Sequence, residues 1–145
     1  MLAAGVDESL RAIGGRLLAV AREQAAYGLA AAHIGDVAPV IVVSDDGRTH
    51  RLLYNPCIVA MADETDGDEE GSVSLPGLQV EIRRPVWADV AYMDETGAGQ
   101  TERFVGFAGR VVQHEIDQMQ GIFFIERLSR LKRDMLLRKL RKLPG

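Results

Sequence analysis

The sequence predicts an α+β domain, with small antiparallel or mixed sheets around one central helix and a basic helix at the C-terminus. Three observations carry that prediction. Apolar residues recur at helical spacing in three separated segments, near 9–26, 107–120 and 127–143. Short β-rich runs bounded by Gly, Pro, Asn and Asp lie between the first two. At 145 residues, 47% hydrophobic and 26% charged, the chain can close one core, so residues 1–145 are read as one domain.

The first helix spans about Ser9 to Ala26. Leu10, Ile13, Leu17, Val20 and Ala21 form its apolar stripe, and Ser9 or Asp7 can cap it. Gly14-Gly15 weakens it, because glycine costs helix stability. The segment is Ala-rich and carries Arg11, Arg16 and Arg22, as a transit peptide would. Asp7, Glu8 and Glu23 favour a structural helix instead. Small residues then run from Tyr27 to Gly35 (YGLAAAHIG), suggesting backbone that something approaches closely.

Pro39 to Val43 reads as a strand, Asp45-Asp46-Gly47 as a turn and Arg51 to Tyr54 as a second strand. Asn55-Pro56 should break it before a strand resumes over Cys57 to Ala60. The acidic run Asp63, Glu64, Asp66, Asp68, Glu69 and Glu70 is expected to be an exposed, mobile connector. Val86 to Met93 and Gln100 to Val105 form a hairpin about Asp94-Glu95-Thr96-Gly97. The central helix runs from about Phe107 to Gln120, with Gly121 as its C-cap. Ile122-Phe123-Phe124 connects it to a basic amphipathic helix over Arg127 to Leu143, with Leu128, Leu131, Met135 and Leu140 inside.

The central helix carries the chemistry. In Gln113-His114-Glu115-Ile116-Asp117-Gln118, positions i and i+4 share a face, which puts His114 beside Gln118 and Glu115 just round the cylinder. The pattern is one residue from H-E-x-x-H, where two imidazoles hold a metal and the Glu works on its bound water. Gln118 stands where the second His would be, and a carboxamide oxygen is a weak neutral ligand. The single cysteine, Cys57, excludes an intrachain disulfide and a multi-cysteine metal site.

Three segments together are similar to the three signatures of the peptide deformylase family. Ala26-Tyr27-Gly28-Leu29-Ala30-Ala31-Ala32-His33 resembles G-x-G-L-A-A-x-Q. Glu70-Gly71-Ser72-Val73-Ser74 resembles E-G-C-L-S, and Gln113 to Gln118 resembles Q-H-E-x-D-H. Their order, with Leu75-Pro76-Gly77 after the second and Gly121 after the third, spans nearly the whole chain. The resemblance implies a site of one thiolate and two imidazoles holding a metal with water in the fourth position. It also implies a Glu that shuttles that water's proton during formyl hydrolysis.

Set against that pattern, Ser72 stands at the Cys position and Gln118 at the second His position, leaving His114 as the one good ligand. A full structural zinc site is worth ~10–16 kcal/mol, of which one imidazole supplies only a fraction. No tightly bound metal is therefore expected. The alternative is zinc, iron or nickel on an altered set of His33, His114 and Glu115. His33 replaces the Gln that polarises the formyl oxygen, and the Val73 backbone N–H can still donate there. Ser72 with His114 as base is a further option, with nothing in the sequence to orient the pair.

Glu115, without a metal, should find Gln118, Ser72, a trapped water or an Arg, and Asp117 should orient the helix or a neighbour. Gly28, Leu29, Gly71 and Arg84 are the expected substrate-binding positions, although Gln79 stands where the family has a peptide-contacting Arg.

Two functional expectations follow. One is a deformylase fold with a degenerate metal site, inactive or nearly so, keeping a cleft for N-formyl or short peptide N-termini. The other is an active hydrolase of N-formylmethionyl peptides or a related amide. Arg127 to Lys142 holds eight basic residues and one acidic residue, and the family resemblance suggests the ribosome as its partner. No apolar run is long enough for a membrane, and a cytoplasmic setting is expected.

Overall fold

A computed structural model describes residues 6–72 and 75–121, with side chains outside 71–80. The expected helix over 127–143 and the Val73 backbone therefore lie outside the described residues. Helix α1 spans Glu8–Gln24. Asp7 caps it, its Oδ1 accepting from Leu10 N–H at 2.8 Å, so Asp7 rather than Ser9 takes that role. Gly14 is no defect: a Cβ there would lie 2.3 Å from the Tyr54 hydroxyl, so the glycine lets α1 lie flat on the sheet.

Strands β1 (Gly28–Ala30), β2 (Val40–Val43) and β3 (Arg51–Met61) follow, with a 3₁₀ turn over Ala31–Ile34 after β1. Strands β4 (Thr65–Ser72) and β5 (Leu75–Pro85) come next, then β6 (Trp87–Met93), β7 (Gly99–Val105) and helix α2 (Gly106–Met119). The main sheet has the order β1-β2-β3-β6-β7, and every pairing in it is antiparallel. The β4–β5 hairpin is a separate two-stranded sheet inserted between β3 and β6.

All four residues of β2 are buried, which explains its unbroken Val-Ile-Val-Val run. Alternate side chains go to opposite faces. Val40 and Val42 join Leu10, Leu17, Ala21, Leu29 and Tyr54 in a cluster under α1. Ile41 and Val43 join Leu53, Val90, Tyr92, Phe104, Val112 and Ile116 under α2.

Two expectations are corrected. Asn55-Pro56 does not break the strand. Asn55 takes φ 50, the register shifts between Tyr54 and Cys57, and β3 continues to Met61. The bulge accommodates a proline that has no N–H to offer a ladder. The acidic run is also not a loose connector. It is mostly β4, zipped along β5 from Thr65↔Pro85 to Gly71↔Gln79. Residues 63–69 are exposed as expected, but Glu70 turns inward.

Candidate active site

Helix α2 is buried on nearly every side from Val112 to Gln118, with polar as well as apolar residues inside. A buried polar group without a partner is costly, so each must be answered by a neighbour. Gln113 donates to the Pro85 carbonyl at 3.0 Å. Asp117 accepts from Arg84 Nη1 at 2.9 Å, and so orients a neighbour as expected. His114 Nδ1 lies 2.9 Å from Glu70 Oε1; a carboxylate only accepts, so the imidazole donates.

Glu70 is the hub. It also accepts from Arg84 Nε and Nη2 at 2.5 and 2.8 Å and from Arg110 Nη1 at 2.6 Å. Burial works against its charge, but the bonds from His114, Arg84 and Arg110 outweigh it and hold the carboxyl down at about 2. Burial likewise disfavours the His114 cation, yet Glu70 and Glu115 bring its pKa above the ordinary imidazole value. Arg110 also donates to the Ile82 carbonyl and to the backbone and side chain of Asp66. One cluster thus ties β4, β5 and α2 together.

Gln118 sits against the other face of the imidazole, its Nε2 3.1 Å from His114 Nε2. With the imidazole proton on Nδ1, the Nε2 lone pair accepts the amide N–H. That is the lone pair a metal would use.

Glu115 is the exception to the pairing rule. Its Oε1 is buried with no hydrogen-bond partner, and its Oε2 is 4.0 Å from His114 Nε2. Burial, opposed by His114 and Arg84, pushes its carboxyl up to about 7. The Arg or Gln118 expected to pair with it do not account for Oε1. What presses on it is Gly28: a Cβ there would lie 2.7 Å from Glu115 Cγ and 2.9 Å from Val111 Cγ1. The close approach expected around Gly28 is therefore that of α2 itself. Beside this recess Tyr27 and Phe107 meet edge to face, ring centroids 5.0 Å apart, each about half exposed.

His33 Nδ1 lies against the Ala30 backbone, 3.1 Å from its N and 3.0 Å from its O, and burial lowers its pKa. Leu29 is core, its side chain in the cluster under α1, and its strand β1 is an edge of the main sheet. Gly71 and Ser72 lie on the β4 backbone, Gly71 opposite Gln79. Arg84, expected to bind substrate, is 4% exposed with its guanidinium on Glu70 and Asp117.

Among the described residues, no group of three or more His, Cys, Asp and Glu is placed to hold a metal ion. His33, His114 and Glu115 do not form such a group in this arrangement. Arg110 was not singled out from the sequence. Its signal was a lone charge on the face of α2 four residues before His114.

A family model described as polypeptide deformylase matches residues 3–134. The chain belongs to the peptide deformylase family. Its relatives in that family include a "peptide deformylase-like" protein of Agrobacterium fabrum, 43% identical over 94% of this chain and 83% of that one. A peptide deformylase of Mesorhizobium japonicum is 34% identical over 95% of this chain and 81% of that one. The crystal structure of the peptide deformylase from Thermus thermophilus superposes with a TM-score of 0.86 at 34% identity, covering 94% of this chain and 83% of the other. The deformylase fold expected from the three motifs is the fold observed, α+β with small antiparallel sheets and α2 at its centre. Among the described residues, no helix is long and apolar enough to cross a membrane.

Proposed function

We propose that this peptide deformylase-like protein has a degenerate metal site and is inactive, or nearly so, as a deformylase. It keeps a cleft for N-formyl or short peptide N-termini. The observation that carries the reading is the Gln118 amide 3.1 Å from His114 Nε2, in the direction where a metal would bind. Among the described residues β1 is an edge strand of the main sheet, the kind of element beside which an extended peptide adds as a further strand. The Tyr27–Phe107 pair offers it an apolar wall. On this reading Gly28, Leu29 and Gly71 contribute through backbone, and His33 is the side chain offered to the formyl oxygen.

A second reading is favoured by one observation. Glu115 is retained, unpartnered at Oε1 and pushed up to about 7, as a proton-transferring group would be. On that reading the protein still hydrolyses a formyl or related amide.

Metal analysis with a formyl-Met-peptide assay separates the two. The first reading expects less than about one-tenth equivalent of zinc, iron or nickel and no turnover above background. Stoichiometric metal, or turnover abolished by Glu115→Gln, overturns it in favour of the second. For the basic segment 127–143 we propose the ribosome as partner. Its binding is expected to weaken about 10³-fold or more between ~50 and ~200 mM salt if six or more phosphates are contacted, and salt-insensitive binding would exclude a phosphate contact.

A further inference from the structure

One carboxylate of α2 is left unmatched, and it lies against Gly28, on the strand beside which the peptide is proposed to add. We propose that the cleft selects a free α-ammonium group over a formylated one, with Glu115 as its counter-ion and the Gly28 carbonyl as a second acceptor. The inference rests on the peptide-cleft reading given above and names which N-terminus that cleft takes.

Charge points to a cation. Among the described residues, the carboxylates buried around α2 are Glu70, Asp117 and Glu115, and the guanidiniums buried there are Arg84 and Arg110. Arg84 is bonded to Glu70 and Asp117, and Arg110 to Glu70 and the exposed Asp66. The His114 Nδ1 proton is also given to Glu70. Glu115 is thus the carboxylate in excess, and its Oε1 has no donor. A buried charge without a partner is costly, and a ligand that brings both a positive charge and N–H donors removes that cost. The place is not sealed, since the Glu115 and His114 side chains keep 7% and 11% exposure.

Position favours a chain terminus over an isolated ion. Phe107, Val111 and Glu115 are spaced by four along α2 and share a face. That face is turned to β1, where a Cβ on Gly28 would lie 2.9 Å from both Val111 Cγ1 and Glu115 Oε2. It runs from an exposed aromatic ring, paired with Tyr27, to the buried carboxylate. Over those eight residues a helix rises about 12 Å, the length of roughly three extended residues at ~3.3 Å each.

Strand β1 supplies the backbone. The Tyr27 carbonyl accepts from the Ser44 N–H at 2.8 Å, so Tyr27 faces β2 and the next residue, Gly28, turns its N–H and C=O to the opposite edge. Two residues on, His33 Nδ1 covers the Ala30 backbone on that edge. An α-ammonium brings one positive charge and three N–H donors to the Glu115 carboxylate and the Gly28 carbonyl. Formylation removes the charge, leaves one N–H and adds a carbonyl oxygen, an acceptor set against an acceptor. A lysine side chain carries the same head group, but the β1 edge pairs with main chain that begins at the bound nitrogen, which favours a terminus.

The test is calorimetric titration of the wild-type chain near neutral pH, where an α-amine of ordinary pKa ~7.7–8.0 is mostly protonated. The probes are Met-Ala-Ala amide, its N-formyl form and its des-amino form. The free amine is expected to bind about tenfold or more tighter than either of the others, the size of effect that a hydrogen bond to a charged group carries. Glu115→Gln, which keeps the shape and loses the charge, is expected to cut that advantage to within about threefold by weakening the free peptide. Equal or tighter binding of the formyl or des-amino form to wild type overturns the proposal, and so does an advantage unchanged in Glu115→Gln. Acetyl-lysine amide with a free side-chain amine, binding as tightly as the free peptide, overturns the choice of a chain terminus.

If Glu115→Gln does not fold, the three peptides on wild type decide alone, and the des-amino form serves should the formyl group be hydrolysed. Absence of binding by every peptide would sink the cleft reading itself. A formyl peptide bound as tightly as the free one would sink only the selection by Glu115.

Discussion

Replacing Glu115 by Gln should flatten the dependence of stability on pH. In the folded chain burial raises the Glu115 carboxyl from 4.5 to about 7. Unfolded, it returns to its ordinary value. Between those pH values the folded state holds a proton that the unfolded state has lost, so unfolding free energy falls as pH rises through the window. At about 1.4 kcal/mol per pH unit, the loss between pH 4.5 and 7 comes to about 3 kcal/mol, and above the window it stays lost.

His114 acts in the same direction, because a raised imidazole pKa contributes stability at low pH that is lost as pH rises through its folded value. Glu70 acts oppositely but elsewhere: held at about 2, it contributes stability above 4.5 that is lost as pH falls toward 2. Urea unfolding of wild type and Glu115→Gln at pH 5, 6, 7 and 8 reads Glu115 together with its coupling to His114, and both act in the same direction. The gap between the two curves should move by about 3 kcal/mol in favour of Gln as pH rises. Parallel curves would refute the argument that Glu115 is a carboxyl held without a partner.

Other consequences are read by the same unfolding measurement. Gly28→Ala places a methyl 2.7 Å from Glu115 Cγ and should cost about 1–3 kcal/mol by overpacking; a loss below ~0.5 kcal/mol would mean that α2 does not ride on β1 as described. Arg84→Met leaves the Glu70 and Asp117 carboxylates short of a buried partner and should cost about 3–5 kcal/mol. Arg51→Ala breaks a pair with Glu102 of similar length, 2.7 Å, but with side chains 44% and 38% exposed. It should cost no more than about 1 kcal/mol. If Arg51→Ala costs as much as Arg84→Met, burial is not what separates them.

Most of the main sheet was legible because its residues alternate or cluster in the way their packing requires. The Val-Ile-Val-Val run of β2 is buried on both faces, and the β6–β7 hairpin turns where Asp94 Oδ1 accepts the Thr96 N–H at 2.9 Å. The β4–β5 hairpin was not legible. From Thr65 to Glu69 no residue of β4 is buried, so no hydrophobic period marks it.

At the site, the motif residues were readable from their local spacing, which a helix converts directly into a shared face. Gln118 was readable as a neighbour of His114, but the Glu70 partner was not. Glu70 is 44 residues away in sequence and Arg110 reaches it across 40, contacts that only the tertiary fold creates. Glu70 was read as one more solvated acid of a charged run because nothing nearby in the chain says that three cationic donors await it.

The separate pairing of β4 with β5 has a further consequence. Among the residues whose side chains are described, both apolar clusters are built from the helices, the 3₁₀ turn and the main sheet, and neither includes a residue of the hairpin. Strand β4, which bears position 72, is joined to α2 by side chains rather than by a ladder of main-chain bonds. Positions 72 and 118 are therefore separate from the apolar side chains of the two clusters. A lineage can exchange a thiol for a hydroxyl, or an imidazole for an amide, without disturbing the residues that keep the chain folded.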